Sequence, residues 1–183
     1  MPIYFIAVTN GQRADGWLIA NNQIFVARSG RLLADTDPAK IRNGRSTERG
    51  EVPAGVYQIG QRMALTDANR LTMSDGQGDV SRFRKFEILP TASNRQRTSS
   101  GEWGVRDARY PDAPRTVLRF HFDGDRPGSE GCIVYDDFRA QAALDASRTN
   151  KDTEVRVEYL RTEAEVRARV RAITGRDPTT GSG

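Results

Sequence analysis

Short β-type segments separated by turn residues fill the first 90 positions, and this pattern limits the fold more than any other feature. Residues 3–8 are apolar and rich in β-formers, and they end at a Thr-Asn-Gly turn. Two further apolar segments, 17–20 and 24–26, flank Asn21-Asn22, a pair that favours a two-residue hairpin turn. More strands are predicted at 56–59, 71–73, 83–89, 116–122 and 153–159. We therefore predict a mainly β domain, built as a barrel or a sandwich.

Helical patterns occur only towards the C-terminus. One helix is predicted from Asp136 through Ala146, with acidic residues in its first turn, where they complement the helix dipole. A second helix ends at Gly175 and has one apolar face, formed by Leu160, Ala164, Val166, Val170 and Ile173. Residues 29–55 and 90–115 are predicted to be mostly loop. The predicted fold class is thus mainly β with two helices near the C-terminus.

The chain is predicted to form a single domain over residues 1–176, followed by a flexible tail at 177–183. A length of 183 residues is enough for one domain with a substantial core. No window approaches the ~18 consecutive apolar residues of a membrane-spanning helix. Residues 1–8 lack the basic start and the small-residue cleavage site of a signal peptide, so we interpret them as the first strand.

The charged residues are unusual in their composition. The formal net charge is +4, from 28 Lys and Arg against 24 Asp and Glu. Only Lys40, Lys85 and Lys151 are lysines, and the other 25 cations are arginines. A GC-rich genome explains such a bias, and so does an anionic partner such as nucleic acid or the cell wall. The arginines never form a run of four, which argues against nucleic acid.

The only histidine and the only cysteine, His121 and Cys132, stand at the two ends of one Gly/Pro-rich loop. A single cysteine excludes an intramolecular disulfide. One cysteine and one histidine are too few ligands for a Cys/His zinc site, so we predict no metal centre and no cofactor. A thiol beside an imidazole can transfer its proton and become a nucleophilic thiolate. Gly131 would let main-chain N–H groups form an oxyanion hole. The alternative is structural: a small buried cysteine and a hydrogen-bonded histidine.

Residues 129–133, Ser-Glu-Gly-Cys-Ile, resemble the Ser/Thr-x-Gly-Cys-hydrophobic signature of L,D-transpeptidases. The order, histidine before cysteine, is also that of the family. Residues 50–57 resemble its Thr-Pro-x-Gly-x-Tyr/Phe turn, and the helix and alternating strand that end at residue 159 resemble its C-terminal part. The resemblance covers roughly residues 50–160 and implies a β barrel or sandwich of the L,D-transpeptidase type.

Several positions depart from the signature of the common cell-wall enzymes. The His-to-Cys spacing is shorter, Glu130 stands where histidine is frequent, and Val134 stands where arginine or asparagine is usual. These features resemble L,D-transpeptidase-related toxins delivered by type VI secretion, and related phage proteins. Because the usual carboxylate-binding residue is missing, Arg119 and Arg126 are candidates to replace it. The alternative for both is an ordinary solvated loop position.

The resemblance implies an acyl-transfer mechanism on peptidoglycan stem peptides. Cys132 would attack the carbonyl of the diamino acid at stem position three and release the terminal D-alanine. The acyl group would then pass to an amine, as an L,D-transpeptidase, or to water, as an L,D-carboxypeptidase. His121 would be the base, oriented by the main-chain carbonyl of Phe122 or, alternatively, by Asp123. The N–H groups of Gly131 and Cys132 would form the oxyanion hole.

Further substrate-binding residues are expected around this loop. Ser129 belongs to the motif, and the long segment 92–115 adds Trp103 and Tyr110, with Arg106 nearby. Loops of this length are often functional, so the segment is a candidate lid over the substrate groove. The alternative is a disordered excursion on the surface.

Two other classes of function stay open at this point. The first is a non-catalytic wall-binding or phage or secretion structural module, and the second is a basic nucleic-acid-binding protein. For the enzyme, the resemblance implies an antibacterial effector made in the cytoplasm without a signal peptide and delivered to a bacterial periplasm. Its partners would be the peptidoglycan stem peptide, an immunity protein and a secretion or phage carrier. The sequence leaves the oligomeric state open.

Overall fold

The computed structural model describes residues 1–11, 13–30, 50–64, 84–109, 111, 114–122 and 131–179. The strand predicted at 71–73 lies outside these ranges. The helices and most of the strands predicted above fall within them.

The described residues form ten strands, eight of which close into a barrel, while β6 and β7 form a separate two-stranded hairpin. In chain order the strands are β1 (Ile3–Thr9), β2 (Arg13–Ala20), β3 (Gln23–Gly30), β4 (Gly55–Ala64), β5 (Arg84–Pro90), β6 (Arg95–Arg97), β7 (Trp103–Val105), β8 (Arg119–Phe122), β9 (Ile133–Tyr135) and β10 (Glu154–Leu160). Around the barrel the order is β1-β10-β4-β5-β8-β9-β3-β2.

The structure confirms the predicted mainly β fold class. Of the two architectures predicted from the sequence, a barrel and a sandwich, the structure has the barrel. Neighbouring barrel strands are antiparallel except for β1 with β10 and β8 with β9, which run parallel. Helices α1 (Arg139–Thr149) and α2 (Glu163–Thr174) lie near the C-terminus, as predicted. In the part of the chain that the structure describes, no helix is long and apolar enough to cross a membrane.

Alternate strand positions fill the barrel interior with apolar side chains. Among the largest buried ones are Phe5, Tyr57, Phe86, Phe120 and Ile133. Each large apolar side chain buried in this way contributes about 1.5–3 kcal/mol. Because the interior is packed, any chemistry has to take place on the outer face of the barrel or in its loops.

A second, smaller core lies outside the barrel, where α2 covers β1 and β2. It contains Tyr4, Ile6, Trp17, Ile19, Val166 and Val170. The helix begins after Thr162, whose side chain forms a capping box with Glu165, and it ends at Gly175 in the left-handed conformation. Asp177 and Pro178, at the start of the segment predicted to be a flexible tail, both accept hydrogen bonds from arginines of α2. The helix ends at Gly175 as predicted, but it begins only at Glu163, because Leu160, predicted to belong to its apolar face, is the last residue of β10.

The hairpin predicted at Asn21-Asn22 is present between β2 and β3. Both asparagines have positive φ angles, 46° and 59°, as a two-residue turn of this kind requires. The start of α1 was predicted wrongly, because the helix begins at Arg139 and has no acidic residue in its first turn. Asp137 instead precedes the helix and accepts a hydrogen bond from the Arg139 N–H at 2.8 Å.

Two further predictions need correction in the segment before β8. The strand predicted at 116–122 begins only at Arg119, because Val117 has a φ of 61° that no strand allows. The segment predicted as loop at 90–115 contains the β6–β7 hairpin, and its Asp107 and Arg115 are buried. The interpretation of this segment as a disordered surface excursion is therefore wrong for its described residues.

Candidate active site

The pairing of β8 with β9 brings the ends of the His-to-Cys loop together. These strands run parallel, with Phe120 opposite Ile133 and His121 opposite Val134. Phe120 and Ile133 are fully buried in the core cluster inside the barrel. Side chains alternate along a strand, so His121 and the residue just before β9, Cys132, project from the outer face.

A hydrogen bond to the chain itself fixes the orientation of His121. Its Nδ1 lies 2.8 Å from the main-chain oxygen of Phe122. A carbonyl oxygen can only accept, so in the neutral ring the proton is on Nδ1 and the lone pair is on Nε2. This is the contact that the resemblance implies, and it leaves Nε2 as the basic nitrogen.

The thiol of Cys132 lies in an environment that favours its ionised form. The side chain is half-buried, and its Sγ lies 3.9 Å from the main-chain oxygen of Val117. Burial raises the pKa of this thiol, but a hydrogen bond to His121, the charge of that imidazole and a main-chain N–H of Arg119 outweigh it and lower the pKa below its usual value. A larger fraction of the thiol is therefore thiolate near neutral pH.

Glycine is the one residue type that fits at position 131, directly before this cysteine. Its φ is 111°, a conformation that side chains rarely adopt. A Cβ built at this position would lie 1.8 Å from the NH2 atom of Arg115. The glycine thus lets the main chain before Cys132 pass directly over a guanidinium group.

Arg115 is a structural part of the site that the sequence analysis missed. The side chain is fully buried, donates to the main-chain oxygen of Gly50 at 3.1 Å and to that of Glu51, and pairs with Asp107 at 3.5 Å. It therefore binds the start of the predicted turn at 50–57 and lies against Gly131, the residue before the cysteine. In the sequence it is one of 25 arginines, and no local pattern marks it for burial.

A second arginine, which is partly exposed, completes this cluster. Arg109 binds both carboxylate oxygens of Asp107 at 2.9 Å and the Glu51 carboxylate at 2.9 Å. Burial raises the pKa of Asp107, but the hydrogen bonds and charges of the two arginines outweigh it and hold the pKa below its usual value. The cluster contains Glu51, Asp107, Arg109 and Arg115, and its member Arg115 lies directly against Gly131.

Two of the predicted substrate-binding residues line one cavity beside the thiol. Arg119 and Trp103 border a cavity of about 230 Å³, together with Leu89, Val117 and neighbouring residues. Trp103 is 45% exposed, and the guanidinium groups of two β6 arginines lie 4.3 and 3.9 Å from its ring centroid. Val117 connects the cavity to Cys132, since its carbonyl contacts the sulfur.

Other predicted residues cannot be placed in this geometry. Ser129, Arg126, Tyr110 and Asp123 lie outside the described residues, so their roles stay predictions. Arg106 is described and exposed, and its main-chain N–H binds the carbonyl of Asn94. Within the described ranges no group of three or more His, Cys, Asp or Glu side chains is placed to hold a metal ion.

No protein-family model matches the sequence, no curated protein matches it, and no solved structure matches the fold. The resemblance to L,D-transpeptidases therefore depends on the motif residues themselves.

Proposed function

We propose that this protein is a cysteine-dependent acyltransferase of the L,D-transpeptidase type that acts on peptidoglycan stem peptides. One arrangement carries the proposal: the carbonyl of Phe122 orients His121, and this imidazole lies close enough to Cys132 to lower the pKa of the thiol. The three groups are a nucleophile, a base and a group that orients the base, which is the arrangement required for covalent catalysis by a thiol.

In the acylation step, His121 Nε2 accepts the proton of the thiol, and the thiolate attacks the carbonyl of the diamino acid at stem position three. The oxyanion that forms would be stabilised by the N–H groups of Gly131 and Cys132. The imidazolium, stabilised by the Phe122 carbonyl, then protonates the departing amine of D-alanine. The product is a thioester on Cys132.

In the second step, an amine or a water molecule attacks the thioester. His121 Nε2 removes a proton from this nucleophile, and the thiolate of Cys132 leaves and is regenerated. An amine acceptor gives a cross-link or D-amino-acid exchange, and water gives carboxypeptidase cleavage. The exposed cavity beside Val117 offers space for an acceptor next to the sulfur.

A turnover assay tests this proposal. Purified protein is incubated with a disaccharide-tetrapeptide, and the products are identified by mass. We expect loss of terminal D-alanine, or its replacement by an added D-amino acid, with the wild-type protein. Neither product should form with Cys132→Ala. Equal turnover by the two proteins would show that the thiol is structural.

The site of action follows from the substrate, which lies outside the cytoplasmic membrane. We propose delivery to a bacterial periplasm, as the motif's similarity to type VI secretion toxins and phage proteins implies, with an immunity protein protecting the producer. Fusing residues 1–183 to a Sec signal should make the chain toxic to a susceptible Gram-negative cell. The same chain kept in the cytoplasm should be harmless, and equal toxicity in both compartments would favour an intracellular target.

A second candidate, a non-catalytic wall-binding module, is favoured by one observation. The exposed ring of Trp103, flanked by Arg95 and Arg97, is a flat surface suited to stacking on a sugar or another planar group. For this module, Cys132→Ala would bind isolated sacculi as well as the wild type, and the wild type would leave stem peptides intact. The turnover assay therefore separates the two candidates.

A further inference from the structure

Lys85 is a buried lysine on the outer face of the barrel. It lies on β5 beside Phe86, whose side chain is in the barrel core, so the side chain of Lys85 starts on the outer face. Only 4% of it is exposed. Lysine is seldom buried to this extent unless an opposite charge accompanies it, because a buried ammonium group loses its hydration. The charges around Lys85 therefore determine whether it can stay protonated.

The pairing of β5 places Lys85 next to the proposed base. Phe86 is opposite Phe120 of β8, so one residue further along this antiparallel register Lys85 stands beside His121. Both side chains lie on the outer face, because their neighbours Phe86 and Phe120 are in the core. On the other side of Lys85, β4 places the uncharged Met63 opposite it. The ionisable groups on the neighbouring strands therefore lie towards β8 and β9.

The thiol lies one strand beyond the base. Strands β8 and β9 run parallel, and Cys132 stands one residue before their first pair, level with Arg119. Neighbouring strands lie about 4.8 Å apart, so the main chains at Lys85 and Cys132 are roughly 10 Å apart, and the long lysine side chain spans part of this distance. Glu87, the acid on β5 itself, is also level with Arg119, and its carboxylate accepts a hydrogen bond from the Gln61 N–H at 3.2 Å.

Two charges act on Lys85 in the part of the chain that the structure describes, and their effects are opposite. Burial, and then the positive charge of Arg119, lower the pKa of the ammonium group, whereas the negative charge of the Cys132 thiolate raises it. The interaction of two charges is mutual, so a thiolate that favours the protonated lysine is favoured by it to the same extent. For the thiol, this effect adds to the larger contributions of His121 and Arg119.

We propose that the ammonium group of Lys85 is a further part of the active centre and stabilises the Cys132 thiolate through its charge. Its role in turnover rests on the proposed function. Before acylation, Lys85 increases the ionised fraction of Cys132, and in the second step it stabilises the thiolate that leaves the thioester. Between these steps the sulfur is uncharged and Lys85 lacks its partner charge, so the thioester is less stable relative to the free thiolate. Lys85 therefore assists turnover without taking or giving a proton.

Alkylation of Cys132 by iodoacetamide measures the thiolate fraction, and intact mass reports it directly because Cys132 is the sole thiol. Below the pKa of the thiol, Lys85→Met should react about tenfold more slowly than the wild type, the scale expected for a unit charge at roughly 10 Å in an effective dielectric constant of about 20. At high pH the two rates should converge. Lys85→Arg keeps the charge and should retain most of the wild-type rate, and Lys151→Met, which removes an exposed lysine elsewhere, should retain all of it.

The same assay in a His121→Ala background separates an effect on the thiol from an effect on the base. A charge that acts on the thiolate itself does so with or without the imidazole, so Lys85→Met should slow alkylation by a similar factor in both backgrounds. If the loss disappears in His121→Ala, Lys85 only positions the imidazole and the proposal is wrong. An unchanged rate in folded Lys85→Met would overturn it as well.

A reciprocal measurement needs no substitution of Lys85. The chain has three lysines, so protein labelled with ¹³C-lysine gives three Cε signals, and the signal that persists in both Lys40→Arg and Lys151→Arg belongs to Lys85. Because the thiolate raises the pKa of Lys85, Cys132→Ala should move the titration of this signal to lower pH, while that of Lys151 stays in place. An unmoved Lys85 signal would overturn the proposal, including the case in which Lys85→Met does not fold.

None of these measurements uses peptidoglycan. A protein that shows both effects but leaves stem peptides intact would retain the Lys85–Cys132 charge pair and refute the proposed function. Turnover of stem peptides with an unmoved Lys85 signal would do the reverse. The two proposals therefore fail independently.

Discussion

The guanidinium group of Arg115 occupies the space that a side chain on Gly131 would need, with its NH2 atom 1.8 Å from the position of a Cβ. This contact connects a fully buried cation to the residue next to the proposed nucleophile. Arg115 also donates hydrogen bonds to the carbonyls of Gly50 and Glu51, so the start of the turn at 50–57 and Gly131 lie against the same guanidinium group.

The first prediction is that Gly131→Ala disrupts the site and destabilises the fold. The φ of 111° alone costs an L residue about 1–2 kcal/mol, and the overlap with Arg115 adds to it. Gly101→Ala is the matched control, because Gly101 has a φ of 86° but nothing within 4 Å of its Cβ position. Urea unfolding should show a clearly larger loss for Gly131→Ala. Equal losses would mean that Arg115 moves aside freely.

The second prediction concerns Arg115 itself. Arg115→Met should lower the free energy of unfolding by about 3–5 kcal/mol, because it leaves the buried Asp107 with one partner fewer and two carbonyls without their donor. Arg139→Met is the control, since this arginine is highly exposed and its ion pair with Asp137 is open to solvent. We expect an unchanged unfolding midpoint for the control. An Arg115→Met protein as stable as the wild type would exclude a supporting role for the buried cluster.

The third prediction is a pH dependence of Cys132 alkylation by iodoacetamide. The thiolate fraction rises as pH increases through the pKa, and the environment of Cys132 lowers that pKa, so the wild type should react at lower pH than a free cysteine does. His121→Ala removes the principal hydrogen bond that lowers the pKa and should shift the profile to higher pH. At high pH, where both thiols are ionised, the rates should converge. If the pH profiles of wild type and His121→Ala coincide over the whole range, His121 does not influence the ionisation of the thiol.

The fourth prediction concerns the strained residue between the cavity and the sulfur. Val117 has a φ of 61° although it is β-branched, and its side chain is half exposed, so it gains little from burial. Asparagine tolerates this conformation much better, and Val117→Asn should raise the free energy of unfolding by about 1 kcal/mol. Cys132 alkylation should be retained, because the sulfur contacts the carbonyl of residue 117 and not its side chain. A destabilised variant would mean that the valine side chain packs against something essential.

The barrel could largely be predicted from the sequence because its strands alternate apolar and polar residues and its turns carry their own signals. Asn21-Asn22 and Gly175 are such signals, and the structure follows both. The strand predicted at 116–122 was too long because nothing in its composition shows that Val117 adopts a left-handed conformation. Residue composition predicts a preference for a strand, whereas the φ of a single residue such as Val117 depends on the tertiary structure around it.

The buried charges of the site could not be predicted for a different reason. The polar residues Arg115, Asp107 and Lys85 lie in segments for which the sequence predicts a loop or the solvent-facing side of a strand. Whether such a residue is buried depends on which distant segments meet, as Glu51 and Arg109 do at Asp107. His121 and Cys132 were accessible to sequence reasoning because each is unique in the chain and the two are close together in it.

The central claim is that Cys132 forms a covalent acyl-enzyme with a stem peptide, and intact-mass analysis tests it most directly. Wild type incubated with a stem tetrapeptide should gain the mass of one acyl-tripeptide, located on Cys132, and Cys132→Ala should gain none. His121→Ala should form the same adduct ~10²–10⁴-fold more slowly, the usual contribution of a positioned general base. No adduct on the wild type, together with equal turnover of peptidoglycan fragments by wild type and Cys132→Ala, would contradict the claim.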